Sequence, residues 1–495
     1  MKENDLKKVA EQYKNNIPYK GDLRTFRVDG IDRLGIPIFD ATFLGDNNEY
    51  GNGLGYGATA IEAEVGAYGE MFEELMISEA GQNVERTEAS FKEMKELKKE
   101  DIVIDPLTLV LPAGSHYHED LQLKWVQINR LTDDAPAWIP LEFFGNYNEY
   151  VKYPDQLITA ITNGCGAGDT FERALLHGLL ELLQRDGNAD CFRALDQGKV
   201  IDLDGISEET RQLMQKLEDK GLKVIPKLAR VTCGCVSLYA VGDDHSDDDF
   251  PFTVAACGEA ADPDFDRAIR KAVLECASSH SRKIFYHSEM ERKTKITPEG
   301  YEEEVMDMMN LQTEEQRALR THVEWLQMGK QKLREKLSDS VFLQKETVYT
   351  KELPHFDGDS IEERLAQVLK GYKKEGLEVY YYRATPAGHP IQVVRAIVPG
   401  IEMEFASYHR IGARGVQRLQ ERKDPLLSTV SGPGKKRIRL TAEKEKELGG
   451  RFWLDTETLD EKINELYPLY REPNAHSAMY ALKTGYFDQK TDANA

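Results

Sequence analysis

Apolar residues recur every three or four positions in residues 162–193, after a glycine-rich opening. This spacing predicts an amphipathic helix with one buried face. Asp169 or Thr170 can cap the start of the helix, and we expect Asp186-Gly187 to end it. The opening predicts a tight loop, because glycine accepts positive φ without a clash at Cβ.

A similar pattern occurs in residues 51–75, where a glycine-rich turn again leads into a helix. This helix carries Glu70 and Glu73 three positions apart, and the first helix carries Glu181 and Gln184 at the same spacing. Most charged residues on such helices are only solvated. Two copies of the pattern, however, could bring three carboxylates and one carboxamide together. Because Mg²⁺ prefers oxygen ligands, this set predicts a magnesium site.

Other segments predict a mixed set of strands and helices. We expect strands at 26–43, 223–228, 231–241, 252–257, 378–383 and 389–402, and a hairpin at 122–140. Helices are expected at 207–220, 264–285, 360–375 and 460–467, with a charged helix or linker at 84–97 and two or three helices at 288–338.

Composition narrows the class of protein. The 495 residues, 40% of them apolar, can bury a large core and favour two or three domains. A formal charge of −22 argues against nucleic-acid binding, which needs a basic surface. The chain has neither an apolar run of about 18 residues nor a signal-peptide core, so we expect a cytoplasmic protein without a membrane segment.

Three weaker chemical signals favour ordinary structural roles. Six cysteines are too sparse for a disulfide framework, and only Cys165, inside the glycine-rich opening, is a candidate for chemistry. His116 and His118 could form a metal pair but lack a partner, so surface loop residues are the simpler interpretation. The acidic segment 242–250 does not have the spacing of an EF-hand and is predicted to be a solvated turn.

The two helical patterns resemble the signatures of the YcaO-domain family. That family has a Gly-Lys-Gly turn followed by Ser-x-x-x-Glu-x-x-Glu-Arg. Here the turn is Gly55-Tyr56-Gly57 and the helix carries Gly66, Glu70, Glu73 and Glu74 at the matching positions. Its second signature, Ser-Asn-Gly-x-Ala-Ala-Gly and then Leu-x-Glu-x-x-Glu-Arg, corresponds to residues 162–168 and 179–185.

Three further segments extend the resemblance over residues 23–415. Arg33, Gly35 and Pro37 match an Arg-x-Gly-Ile-Pro segment, and residues 398–402 match the closing Val-Pro-Gly-x-Glu. In the helix at 264–285, Glu275 matches a family glutamate. The family arginine of this helix falls on His280 unless the register slips so that Arg282 serves instead.

The resemblance implies an α/β (α+β) fold in which mixed sheets flanked by helices form two related halves around an ATP and Mg²⁺ cleft. Residues 1–22 would be an N-terminal extension, 23–424 the YcaO-like domain with a helical insertion at about 288–338, and 425–495 a C-terminal extension. The magnesium ligands it implies are Glu70, Glu73, Glu181 and Gln184. The nucleotide-binding residues it implies are Tyr56, Asn163, Arg185, Glu275 and Arg282.

The implied reaction is ATP-dependent phosphorylation of a peptide backbone amide oxygen, followed by attack of a nucleophile on the amide carbon. The product would be an azoline, an amidine or a thioamide in a ribosomally made peptide. No residue of the protein is nominated as nucleophile. The implied partners are the peptide, a leader-binding or sulfur-donor protein, and a second copy in a homodimer.

Four positions depart from the family pattern. Tyr56 replaces lysine, Gly66 replaces serine, Glu74 replaces arginine and Gln184 replaces a glutamate. The chain also lacks a proline-rich end, which disfavours azoline formation. Two alternatives therefore stay open, namely a non-catalytic scaffold that binds a peptide or partner enzyme, and ATP-dependent hydrolysis of an amide.

Overall fold

The computed structural model describes residues 3–145, 156–159 and 161–488 and has a mixed α/β architecture. Its helices are α1 Glu3–Asn15, α2 Ala60–Asn83, α3 Phe91–Leu97, α4 Phe171–Asn188, α5 Glu208–Glu218, α6 Phe265–His287, α7 Tyr301–Met308, α8 Gln316–Leu326, α9 Lys330–Lys336, α10 Ile361–Lys374, α11 Phe405–Tyr408, α12 Ala413–Arg422, α13 Ala442–Leu448, α14 Thr456–Ile463 and α15 Ser477–Lys483.

The strands are β1 Gly21–Arg27, β2 Ile38–Gly45, β3 Tyr50–Tyr56, β4 Thr87–Ala89, β5 Ile102–Val103, β6 Leu123–Arg130, β7 Pro136–Pro140, β8 Cys165–Gly168, β9 Lys199–Ile201, β10 Leu222–Thr232, β11 Cys235–Asp244, β12 Cys257–Asp262, β13 Glu346–Val348, β14 Tyr380–Arg383, β15 Gln392–Ile397, β16 Leu427–Ser428, β17 Lys435–Arg437 and β18 Trp453–Asp455.

Three of the sheets end in a strand that matters for the site. One sheet has the order β1-β2-β3, the second β12-β11-β10-β9-β13, and the third β5-β7-β6-β14-β15-β8 with β4 on β6. In the described chain β3, β8 and β12 are therefore edge strands. A small sheet, β16-β18-β17, belongs to the C-terminal segment.

Each of these edge strands is covered by one long helix, and the strand has a glycine where the helix packs against it. A Cβ added at Gly55 of β3 would lie 2.0 Å from the carbonyl oxygen of Ala63 in α2. A Cβ at Gly166 of β8 would meet α4 at 2.0 Å, and one at Gly258 of β12 would meet α6 at 2.1 Å. Helix backbone thus rests on strand backbone, which only glycine permits.

This packing corrects two predictions. The glycine-rich segments expected as a turn at 51–57 and a loop at 162–168 are largely strands β3 and β8. In β3, Gly51, Gly53 and Gly55 all face α2, because side chains of alternate residues share one face of a strand. The period of two in these glycines indicates an edge strand that a helix approaches closely.

Two element boundaries also differ from the prediction. Helix α4 continues to Asn188 past Gly187, because Gly187 is packed against Ser237, whose Oγ would lie 2.1 Å from an added Cβ. The strand expected at 252–257 is a 3-10 helix, Pro251–Ala255, before β12 begins. Proline at its first turn lacks the N–H that a central strand needs.

Other elements follow the prediction closely. The hairpin at 122–140 forms as β6 and β7, and the helix at 264–285 forms as α6. The three helices α7, α8 and α9 occupy the segment expected as a helical insertion. Helix α8 packs against α15 of the C-terminal segment, so the two segments share a core. Among the described residues no helix has the length and apolar character needed to cross a membrane.

Candidate functional site

The three edge strands and their helices close into a ring. Helix α2 covers β3 and also contacts β8, α4 covers β8 and contacts β12, and α6 covers β12 and contacts β3. We call this arrangement the three-unit ring. It brings together residues from three sheets that are distant in the sequence.

Each edge strand of the ring has a backbone N–H that donates to a glutamate of its covering helix. Leu54 N donates to Glu70 at 3.0 Å, and Glu259 N donates to Glu275 at 3.2 Å. Beside β8, Gly164 N donates to Glu181 at 2.8 Å. An edge strand leaves backbone donors unpaired, and these carboxylates satisfy them.

A second set of polar contacts joins each unit to the next. Ala167 N of β8 donates to Glu73 of α2 at 2.8 Å. Arg185 of α4 lies 3.3 Å from Glu259 of β12. Tyr56 of β3 donates its hydroxyl to Glu275 of α6 at 2.7 Å. Four of the predicted metal and nucleotide residues, Tyr56, Glu73, Arg185 and Glu275, therefore connect neighbouring units of the ring.

The ring surrounds two neighbouring cavities. A cavity of about 300 Å³ is lined by Tyr56, Glu70 and Glu73 on one side and by basic residues on the other. Those basic residues are Arg173, His177 and Lys271. The second cavity, about 160 Å³, is lined by Asn163, Arg185 and Glu259 together with aromatic side chains. These aromatic side chains are Phe192, Tyr408 and Tyr470.

The acidic residues of the first cavity bind protons more tightly than usual. Burial raises the pKa of Glu73 to about 8, and the neighbouring Glu70 and Glu181 carboxylates raise it further. Burial also raises the pKa of Glu70 to about 7, although Arg282 opposes the effect. The pKa of Glu275 is raised for the same reason. A cation that enters the cavity would therefore stabilise the ionised form of these carboxyl groups.

The geometry of these carboxylates fits a hydrated divalent cation. Glu70 and Glu73 each use one oxygen to accept a backbone N–H, which leaves the other oxygen for a ligand. In the described chain, the oxygens of Glu70, Glu73 and Glu181 do not all lie within 4.8 Å of one another. Water and phosphate oxygens would thus complete the shell, as Mg²⁺ usually requires.

Gln184 is placed apart from the other predicted magnesium ligands. It is only 5% exposed and lines neither cavity. Its backbone carbonyl accepts a hydrogen bond from Ser237 Oγ of β11 at 3.3 Å. The chain lies so close to β11 here that the Gln184 side chain is enclosed. The predicted ligands Glu70 and Glu181 lie close enough to Glu73 for their charges to raise its pKa, although Glu181, like Gln184, lines neither cavity.

His280 and Arg282 have different surroundings in the structure, and the difference favours Arg282 as the site residue. His280 is wholly buried, and its two ring nitrogens contact Asp32 at 2.7 Å and Asp244 at 3.0 Å. Both nitrogens therefore already have partners within the protein. Arg282 lies close enough to lower the pKa of Glu70 and of Glu275. These contacts favour Arg282 over His280 as the predicted nucleotide-binding residue of α6.

Glu259 and Lys271 were missed by the sequence reasoning. Lys271 lines the first cavity and lowers the pKa of Glu73 and Glu275. Glu259 follows Gly258 in the chain as Tyr56 follows Gly55 and Ala167 follows Gly166. The residue after each contact glycine faces the ring, and this shared position was a usable signal.

The weaker signals are not part of this site. Cys165 is buried next to Arg395, whose guanidinium lies 3.3 Å from the sulfur, and burial raises the thiol pKa to about 11. His116 and His118 are exposed. Asp243 of the acidic segment lies in β11 and pairs with Arg334 at 2.7 Å, so the predicted solvated turn is partly strand.

Comparisons with known proteins agree with this architecture. The chain is 25% identical over 405 residues to an uncharacterised protein of Methanothermobacter thermautotrophicus, covering 80% of this chain and 93% of the relative. The solved structure of YcaO from Methanopyrus kandleri bound with AMPPCP and Mg²⁺ is similar, with a TM-score of 0.57 and 20% identity. That match covers 83% of this chain and 93% of the other.

A heterocyclase solved in complex with substrate and cofactor is similar as well. Its TM-score is 0.60 and its identity 18%, with 83% of this chain and 54% of that chain covered. These two matches confirm the predicted mixed α/β fold. Residues 54–402 match the family described as YcaO cyclodehydratase, ATP- and Mg²⁺-binding. The segment contains the three-unit ring except for residues 50–53 at the start of β3, and the chain belongs to the YcaO family.

Proposed function

We propose that this protein uses ATP and Mg²⁺ to activate a backbone amide of a peptide for attack by a nucleophile. The observation that supports the proposal is the three-unit ring, in which Glu181 of α4 and Glu275 of α6 lie close enough to Glu70 of α2 for their charges to raise its pKa. They stand at the positions that match the family signatures. ATP and Mg²⁺ are the ligands named in the family description.

The residues divide into two roles in this proposal. Glu70, Glu73 and Glu181 hold Mg²⁺, and their backbone N–H contacts keep the carboxylates oriented before the ion arrives. Arg185 and Arg282 offset the negative charge of the phosphates. ATP bound there would supply the γ-phosphoryl group, and its transfer to the amide oxygen, with release of ADP, would make that oxygen a good leaving group.

The protein itself contributes positioning rather than a covalent nucleophile. The first cavity is lined by residues of α1, α2, α4, α6, β3 and β8, and it carries both basic and acidic side chains. Such a site would align a substrate oxygen with a phosphoryl group. The heterocyclase of similar fold was solved with substrate and cofactor, and we extend this to a peptide substrate here.

A non-catalytic scaffold is the second candidate, and two observations favour it. Tyr56 stands where the family has lysine, and its hydroxyl donates to Glu275 instead of supplying a positive charge. Gln184 is enclosed beside β11 instead of offering a carboxylate to the cavity. Both differences weaken the attraction for Mg²⁺ and phosphate, so a domain that binds a peptide without ATP turnover is the alternative.

Titration calorimetry with AMPPCP, with and without Mg²⁺, separates the two candidates. The enzyme proposal expects Mg²⁺-dependent binding that is lost in Glu70→Gln and Glu181→Gln. Glu172→Gln is the matched control, because Glu172 is an exposed residue at the start of α4. If folded wild-type protein binds no nucleotide, the scaffold is favoured. If both site variants bind as wild type does, the assignment of the metal ligands is wrong.

A further inference from the structure

Three side chains outside the three-unit ring meet where α6, α8 and the C-terminal segment converge. They are His287, His322 and Glu472, and their ligand atoms all lie within 4.8 Å of one another. Among the described residues, this is the one group of three or more histidine, cysteine or acidic side chains whose possible ligand atoms lie this close together. His287 and His322 are both 0% exposed.

The imidazoles of this cluster have nitrogens that nothing in the described chain satisfies. Both ring nitrogens of His287 and Nε2 of His322 are buried without a hydrogen-bond partner. Folded proteins pair almost all buried polar atoms, and an exception calls for a ligand or an ordered solvent molecule. These nitrogens lie in one cluster, where a bound ion would pair with one nitrogen of each imidazole.

The hydrogen bond of His322 shows which nitrogen is available. Its Nδ1 lies 2.9 Å from the carbonyl oxygen of Ala318. A carbonyl can only accept, so Nδ1 carries the proton and Nε2 keeps its lone pair. Metal-binding histidines have this arrangement, in which a backbone carbonyl fixes the tautomer and the orientation of the imidazole.

The remaining contacts hold the donors in place. Phe252 stacks on the imidazole of His287 with centroids 4.6 Å apart and on that of His322 at 5.2 Å. The Glu472 side chain is 41% exposed and pairs with Lys283 through Oε1. Its second oxygen can therefore serve as a ligand while Lys283 keeps the first.

We propose that His287, His322 and Glu472 bind a divalent transition metal ion, of which Zn²⁺ is the representative. Two imidazole nitrogens and one carboxylate oxygen form a donor set typical of Zn²⁺, with a fourth position left open. Mg²⁺ is disfavoured because it prefers oxygen ligands. The site is separate from the proposed ATP chemistry and does not depend on it.

The ion would connect three segments of the chain. His287 ends α6, His322 lies in α8 of the helical segment, and Glu472 belongs to the C-terminal segment. Helix α6 also carries Glu275 and Arg282, so the metal would anchor the helix that supplies these two residues to the three-unit ring. This gives the helical and C-terminal segments a defined part in ordering the site.

The test is metal binding by the full-length chain. The protein is stripped with a chelator, titrated with Zn²⁺, and the bound metal counted by mass spectrometry after desalting. We expect one ion per chain. His322→Ala and Glu472→Gln should weaken Zn²⁺ binding by more than about 100-fold, because loss of even an outer-shell partner costs about 10- to 100-fold. Co²⁺ should give the visible absorption of a four-coordinate ion in the wild type alone.

Three controls make the result decisive. A double variant, His116→Ala with His118→Ala, removes exposed histidines and should keep the full stoichiometry. Glu70→Gln should also keep it, which excludes the three-unit ring as the Zn²⁺ site. Circular dichroism checks folding, and His287→Asn replaces any alanine variant that does not fold. The proposal is overturned if stripped wild type binds no Zn²⁺, or if the folded cluster variants bind it as wild type does.

Discussion

Mg²⁺ binding by this protein should depend steeply on pH. Burial raises the pKa of Glu70 to about 7 and that of Glu73 to about 8. Near neutrality these carboxyl groups still carry protons, which Mg²⁺ has to displace. Both are ionised in roughly half of the molecules at pH 8 and in about one in a thousand at pH 6, so affinity should fall by about 500-fold between these values.

Calorimetry with Mg²⁺ alone tests this, because ATP would add its own titration. Measurements at pH 6, 7 and 8 in two buffers of different ionisation enthalpy give the number of protons released. At pH 7 we expect about 1.4 protons per ion, and about 0.5 in Glu73→Gln, which keeps only the titration of Glu70. An affinity that is constant over this range, with no proton release, would refute the role of the two carboxylates.

The same shifts set the sign of an effect on stability. A carboxyl whose folded pKa is raised stabilises the protein most below its ordinary value of 4.5, and this contribution is lost as pH rises through 7 to 8. Mg²⁺ relieves that loss by replacing the protons. Melting temperatures should therefore increase more on addition of Mg²⁺ at pH 8 than at pH 6.

Four substitutions test the packing and the charges. Asp186→Asn should cost about 3–5 kcal/mol in urea unfolding, because Asp186 is wholly buried and pairs with Arg414 and Arg418. Gly55→Ala should cost about 1–3 kcal/mol or more through its contact with α2, whereas Gly69→Ala, whose nearest neighbour is 3.6 Å away, should stabilise α2 by about 1 kcal/mol in the same assay. Tyr56→Lys should tighten AMPPCP binding in calorimetry by adding a positive charge; unchanged binding would place the phosphates elsewhere.

The helices of the site could be predicted because their signals are local. Leucines at helical spacing defined α4, and glutamates three positions apart on α2 stood on one face whatever the helix packed against. The choice of Arg282 over His280 could not be made from the sequence. It depends on Asp32 and Asp244, which contact His280 from other parts of the fold.

The glycine-rich segments were wrongly predicted because glycine can occur in a segment for two different structural reasons. In a turn it supplies positive φ, and in β3 and β8 it removes a side chain where a helix backbone approaches. Gly164 does adopt φ +95°, so part of the loop prediction was right. The cluster of His287, His322 and Glu472 had no sequence signal, because tertiary packing alone brings its three segments together.

The glycine contacts beneath α2, α4 and α6 have an evolutionary consequence. Where helix and strand touch through their backbones, no side chain between them can grow, shrink or change rotamer. The distances between the acidic residues are then set by the backbone geometry of the helices and strands. We expect that surrounding apolar residues can be substituted without moving Glu70, Glu181 or Glu275.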